Sequence, residues 1–161
     1  MALREIRVVG EDCLKKVCKP VDELTPRLET LIEDMFDTMY DAEGVGLAAP
    51  QVGILRRIAV IDVGDGPVVL INPEILETSG EQSGYEGCLS LPGKSGMVTR
   101  PNYVKVKALD ENMQECIIEG EELFARALVH EIEHLDGHMY TEKVEGELYN
   151  NEDLYPEDEE Q

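Results

Sequence analysis

The sequence predicts an α+β fold: antiparallel β-sheets packed around a central helix that carries HEIEH, with a second helix near the N-terminus. Three observations predict it. Two segments, around 25–42 and 120–137, repeat apolar residues at spacings of three and four. Between them lie short alternating or apolar runs separated by Gly, Pro and Asp. The order helix, strands, helix also lacks the regular alternation of a doubly wound sheet.

Each element has a local reason. Leu3 to Val21 mixes short apolar runs with charge and reads as an extended arm with turns. Thr25-Pro26 starts a helix, with Thr as N-cap and Pro at the first helical position. Leu28, Leu31, Ile32, Met35, Phe36 and Met39 then form one apolar stripe, of the kind that packs on a core, ending near Ala42 and Gly44. GVGLAAPQVG (44–53) is small, neutral and broken by Pro50, so it suits neither helix nor strand. Ile58–Ile61 and Val68–Ile71 read as a hairpin around Gly64-Asp65-Gly66-Pro67. EQSGYEGCLSLPGKSG (81–96) has few β-branched residues and five glycines and prolines, and is expected to be irregular with short extended pieces. From Asn102 to Leu109, Val104, Val106 and Ala108 alternate with Lys105 and Lys107, a strand with one buried face. After a turn at 110–114 a returning strand begins at Cys116. The second helix starts near Gly120 and stops at Gly137.

Length and composition bound the function. At 161 residues the chain is expected to be one domain, 1–144, followed by a poorly ordered or weak surface tail, 145–161, with eight acids and no base. With 42% hydrophobic and 30% charged residues it reads as globular. A net charge of −21 argues against binding nucleic acid through its phosphates. No run is long and apolar enough to span a membrane, and the N-terminus lacks the apolar stretch of a signal peptide. The expected location is therefore the cytoplasm, where the four cysteines stay reduced and a special one is a ligand or nucleophile.

The chemistry centres on HEIEH, residues 130–134. Histidines at i and i+4 sit about 40° apart around a helix and one turn along it, so both rings reach one metal ion. Glu131 is offset to the side, where a carboxylate can serve a water on the metal without being a ligand. Two solvated histidines would be the plain alternative. Leu123 and Ala127 share the histidine side, however, so that side should face inward.

A tetrahedral site with one open position needs a third protein ligand. The extended pattern with a further histidine fails, because that position is Tyr140. His138 follows the helix-ending Gly137 and would have to fold back. A downstream glutamate could come only from the acidic tail. Cys13 and Cys18 lie in the arm, and Cys116 reads as a small core residue. Cys88, flanked by Gly87 in a stretch where backbone can approach closely, leads these candidates.

GVGLAAPQVG (44–53), EGCLS (86–90) and HEIEHLDG (130–137), in this order and spacing, resemble the peptide deformylases. The likeness extends through the arm, the 25–42 helix and INPEI (71–75), to about Val144. The resemblance implies that Cys88, His130 and His134 bind one divalent ion, Fe2+ physiologically, with Zn2+ or Ni2+ able to occupy a purified sample. It implies that Glu131 is general base and then acid, and that Gln51 and the backbone N–H of Leu89 stabilise an oxyanion. Gly46 and Gly87 would pair with the substrate as an added strand. Val45, Glu86, Leu123 and Ala127 would line or border a methionine pocket. The implied reaction removes the formyl group from formyl-methionyl nascent peptides and releases formate. An HExxH protease, or a non-catalytic module that binds peptide N-termini, are the alternatives.

Three features depart from the family pattern. Glu133 stands where Asp is usual, on the flank of the helix opposite Glu131, and is expected to brace a base such as Arg100. Val129 replaces a common glutamine. The acidic tail replaces the basic C-terminal helix by which some relatives dock on the ribosome, so ribosome proximity by that route is not expected.

Overall fold

The computed structural model describes residues 2–154. Helix α1 (Pro26–Asp41) begins as expected: Thr25 Oγ1 accepts from the Leu28 N–H, and Pro26 fills the first position. Short strand β1 (Gly46–Ala48) and a 3₁₀ turn (Ala49–Val52) follow in GVGLAAPQVG. The segment is thus more ordered than its composition suggests, because β1 pairs along β2 (Ile58–Ile61). β3 (Val68–Ser79) completes the expected hairpin, then runs on past Ile71 through an irregularity at Asn72. β6 (Tyr103–Leu109) and β7 (Glu115–Glu121) close a five-stranded sheet in the order β1-β2-β3-β6-β7.

Both faces of this sheet are covered, which explains why Ile58–Ile61 is apolar at every position. Ile58 and Val60 pack with Leu31, Ile32, Met35 and Met39 of α1. Ala59 and Ile61 join Val104, Val106 and Ala108 against α2 (Glu122–Leu135), through Ala125, Leu128, Val129 and Ile132. The arm is tied to α1 by Arg4, which pairs with buried Asp34 at 2.9 Å, while its N–H donates to Thr38 Oγ1. At the far end of α2, Gly137 takes φ +84°, and a Cβ there would meet the Lys15 carbonyl oxygen at 2.7 Å. That close approach locks the arm against the helix terminus.

A second, three-stranded sheet lies on the other side of α2. It corrects two expectations. The stretch 81–96 is not irregular: β4 (Gln82–Cys88) and β5 (Leu91–Arg100) form an antiparallel hairpin. Three of its four glycines are there because neighbours occupy their side-chain space, and the fourth, Gly93, takes φ +76°. A Cβ on Gly84 would touch Arg126, one on Gly87 would meet the Lys94 carbonyl oxygen at 3.1 Å, and one on Gly96 would meet Val144 at 2.7 Å. The tail also begins as structure. β8 (Glu145–Asn150) pairs with β5, and a short helical turn, α3 (Asn151–Leu154), follows. Residues 155–161 lie outside the described residues. The α+β class stands, with antiparallel sheets on either side of a central helix. Among the described residues no helix is long and apolar enough to cross a membrane.

Candidate active site

Helix α2 carries the centre because its two buried faces differ. One is apolar and packs on the five-stranded sheet. The other turns Arg126, His130, Glu131 and His134 toward the β4-β5 hairpin, and all four are buried. Cys88, at the end of β4, brings its sulfur to the same point. Ligand atoms of Cys88, His130 and His134 lie within 4.8 Å of one another, and Cys88 Sγ is 3.3 Å from His134 Nε2. That separation is close to the ~3.5 Å edge of a tetrahedron built from typical metal–sulfur and metal–nitrogen bonds.

The other third-ligand candidates are elsewhere. His138 is exposed and pairs with Glu142 at 3.1 Å. Cys18 is buried where its N–H donates to the Leu135 carbonyl, and Cys116 lies on β7, its Sγ 3.5 Å from the Ala108 carbonyl oxygen.

Around the sulfur the backbone and Gln51 supply donors. The Ser90 N–H and Gln51 Nε2 each lie 3.4 Å from Cys88 Sγ. Gln51 is fully buried and fixed at both ends of its amide. Its Oε1 accepts from the Ala48 N–H at 2.9 Å, and its Nε2 also reaches Ser90 Oγ at 3.1 Å. Leu89, between Cys88 and Ser90, packs so closely on Gly44 that a Cβ there would lie 2.7 Å from Leu89 Cδ1.

Glu86 has a larger part than bordering a pocket. Its carboxylate is buried and receives Arg100 through two bonds (3.1 and 2.7 Å), Arg126 Nη1 at 2.7 Å and His130 Nδ1 at 2.6 Å. Burial alone would raise its pKa, but the bonds from His130 and Arg100 hold it far below the ordinary carboxylate range. With Nδ1–H donated to Glu86, His130 presents Nε2 to the centre, the usual device for fixing a ligating imidazole. Glu133 joins the same network, with Arg100 Nη1 at 2.7 Å from its Oε1, so the expected Arg100 brace is present. The sequence motifs give no role to Arg126, which lies outside them, or to Ser90, the last residue of EGCLS. Arg126 carried a signal, since a base four residues before His130 on a helix shares its face.

Glu131 lies beside the donor set, its Oε2 4.0 Å from His130 Nε2. Its Oε1 is buried and has no hydrogen-bond partner among the described residues. Burial pushes its carboxyl up to about 7, the range in which a group both takes and returns a proton near neutrality. The side chain fits only because position 46 is glycine: a Cβ there would collide with Glu131 Oε2. Burial opposes charge on both rings, yet the Glu131, Cys88 and Glu86 groups draw His130 well above an ordinary histidine. Burial and the His130 charge push His134 well below one. Soft sulfur and two nitrogens, ringed by carboxylates and a half-unpaired buried acid, form a donor set that suits a divalent transition ion.

Val45, Gly46, Gly87, Leu123 and Ala127 line one cleft of about 670 Å³ with Cys88, His130 and Glu131. Ala127 is buried, but Leu123 is 49% exposed, so it stands at the mouth rather than facing the core as expected. The reason is position: it is the second residue of α2, beyond the edge of the sheet that buries the next turns. A second cleft, of about 820 Å³ and lined by Arg4, Asp22, Arg27 and Arg56, holds none of these residues.

A central helix that turns a Cys-His-His donor set and a buried carboxylate into one cleft is the build of a mononuclear metal-dependent hydrolase. Comparison with known proteins narrows this. The polypeptide deformylase family matches residues 3–148. A peptide deformylase of Agathobacter rectalis is 66% identical over 149 residues, covering 92% of this chain and 94% of its own. One from Lachnoclostridium phytofermentans is 62% identical over 152 residues, covering 92% and 93%. The crystal structure of a peptide deformylase from Legionella pneumophila superposes with a TM-score of 0.87 at 46% identity, covering 89% of this chain and 87% of that one. The chain belongs to the polypeptide deformylase family. Neither the protease nor the non-catalytic module finds support among these relatives.

Proposed function

We propose that the chain carries out its family's reaction, removal of the formyl group from formyl-methionyl peptides with release of formate, through the residues gathered in this cleft. Cys88, His130 and His134 hold one divalent ion, Fe2+ in the cell, with Zn2+ or Ni2+ able to take its place in a purified sample. The ion supplies Lewis acidity, which activates water near neutral pH and polarises a carbonyl. Glu131 takes the proton of the attacking water and returns it to the departing amine nitrogen. Gln51 Nε2 and the Leu89 N–H donate to the oxygen that gains charge, each contributing roughly 3–4 kcal/mol by analogy with other oxyanion sites. Glu86 orients His130 and does not touch the substrate. Gly46 and Gly87 offer backbone to an extended peptide, and Val45, Leu123 and Ala127 form an apolar slot for the methionine side chain.

Residues 1–144 would be the catalytic domain and 145–161 an acidic appendage that lends β8 to its smaller sheet. The substrate in the cell would be the N-termini of nascent chains in the cytoplasm. A net charge of −21 disfavours contact with nucleic acid through its phosphates.

The observation that carries this reading is the convergence of Cys88, His130 and His134 beside the half-unpaired Glu131. Anaerobic formate release from formyl-Met-Ala-Ser, with metal analysis, tests it on the natural chain and on Glu131→Ala. The variant is expected to keep its ion and lose release; unimpaired release would overturn the assignment.

A further inference from the structure

Among the described residues, the cleft has one lining residue from the C-terminal segment. Asn151, just after β8, borders the same space as Gly46, Gly87 and Glu131. It is held there. Ser95, itself buried, donates its hydroxyl to Asn151 Oδ1 at 2.6 Å. β8 is fastened to β5 next to it, with Asn150 opposite Lys94 and Tyr149 opposite Ser95. The Lys94 ammonium also bonds the Asn150 side chain. Tyr149 packs edge-on against Tyr85, another cleft residue, with ring centroids 6.2 Å apart.

The Ser95 bond has a chemical consequence. An amide whose oxygen is claimed has its rotamer fixed and keeps two N–H donors. The Asn151 Nδ2 donors engage nothing among the described residues. The same Ser95 hydroxyl would lie 3.2 Å from a Cβ on Gly87. Asn151 is therefore one side chain away from the backbone that the reading above gives to the substrate strand. An extended peptide there presents carbonyl oxygens at its edge, and each wants a donor when water is displaced.

Resting on that reading of the cleft, we propose that Asn151 is a substrate-binding residue, donating through Nδ2 to a backbone carbonyl of the peptide beyond the methionine, with Ser95 as its positioning residue. The C-terminal segment is then part of the substrate site. It favours peptides long enough to reach it over formyl-methionine alone, with little regard to side-chain identity, because the contact is to backbone.

The test compares kcat/KM for formyl-Met-Ala-Ser with that for formyl-Met-amide, in the metal-loaded full chain and in Asn151→Ala, Asn151→Asp and Ser95→Ala. A neutral hydrogen bond to substrate corresponds to about a five- to tenfold effect. Asn151→Ala should lower the ratio of long to short substrate by that factor, through KM rather than kcat, since the contact is remote from the reacting carbon. Asn151→Asp keeps the shape and the oxygen but loses the donors, and should lower the ratio at least as far. Ser95→Ala, which frees the amide rotamer, should give a smaller drop in the same direction. An unchanged ratio in Asn151→Asp, or equal losses on both substrates in Asn151→Ala, would overturn the proposal. Failure of the natural chain to release formate from either substrate would instead defeat the deformylase reading, and this inference with it.

Discussion

The five-stranded sheet is covered on its two faces by helices of similar length that do different work. Helix α1 buries Leu31, Ile32, Met35 and Met39, and its one buried acid, Asp34, is paired with Arg4. Helix α2 buries Ala125, Leu128 and Ile132 on one face, and on the other Arg126, His130, Glu131 and His134. The first face is stabilised by transfer of apolar surface out of water. The second takes polar and ionisable groups out of water, and tolerates it because Glu86 binds two of them, Arg126 and His130, and pairs with Arg100 of β5 as well. The difference separates stability from chemistry in space, so substitutions in the two helices should fail in different ways.

The largest expected effect is at Glu131, whose Oε1 has no hydrogen-bond partner among the described residues. Glu131→Gln should slow formate release about a thousandfold, in the usual range for losing a positioned acid–base group. Its melting temperature should hold or rise, because a buried carboxylate with an unpaired oxygen is destabilising. A variant that is slow because it is unfolded would break the contrast between the helices; circular dichroism beside the assay distinguishes the two.

Next is the hub. Glu86→Gln leaves Arg100 and Arg126 without their shared carboxylate, and should cost about 3 kcal/mol or more in denaturant unfolding. It should also weaken metal affinity about 10- to 100-fold through His130. Loss of stability with metal affinity intact would mean that Glu86 serves the fold alone. On the other helix, Met35→Ala should cost about 2–5 kcal/mol of stability, measured by the same unfolding. Its turnover per folded molecule should be unchanged; a changed KM or kcat would show that the two faces are coupled.

The smallest effect is expected at Glu133→Asp. Its carboxylate is partly exposed and shares Arg100 with Glu86, so a side chain one methylene shorter should shift metal affinity by a few-fold at most. Competition with a chelator measures it, and no change at all would remove Glu133 from the bracing network.

The same contrast explains what was legible in the sequence. Helix α1, the alternating strand β6 and the β2-β3 hairpin follow from local patterns, because each buries one regular face or two covered ones. His130, Glu131 and His134 were legible because their spacing is itself local. The β4-β5 hairpin was not. Three of its glycines mark sites where Arg126, Lys94, Ser95 and Val144 press against the backbone, and the Arg126 and Val144 contacts join residues distant in sequence. The role of Glu86 was hidden for the same reason: three of its bonds reach 14 to 44 residues away. The order of residues 145–154 depends on pairing with β5, which eight acids in a tail do not reveal.

Metal content after a single ligand is removed tests the central claim most directly. Reconstituted under anaerobic conditions and freed of excess ion, the natural chain should hold about one divalent ion, as a three-ligand catalytic site does. Cys88→Ala, His130→Ala and His134→Ala should each lose nearly all of it while α1 and the five-stranded sheet keep their helical and strand signal. A folded Cys88→Ala chain that still binds a full equivalent with unchanged affinity would contradict the account.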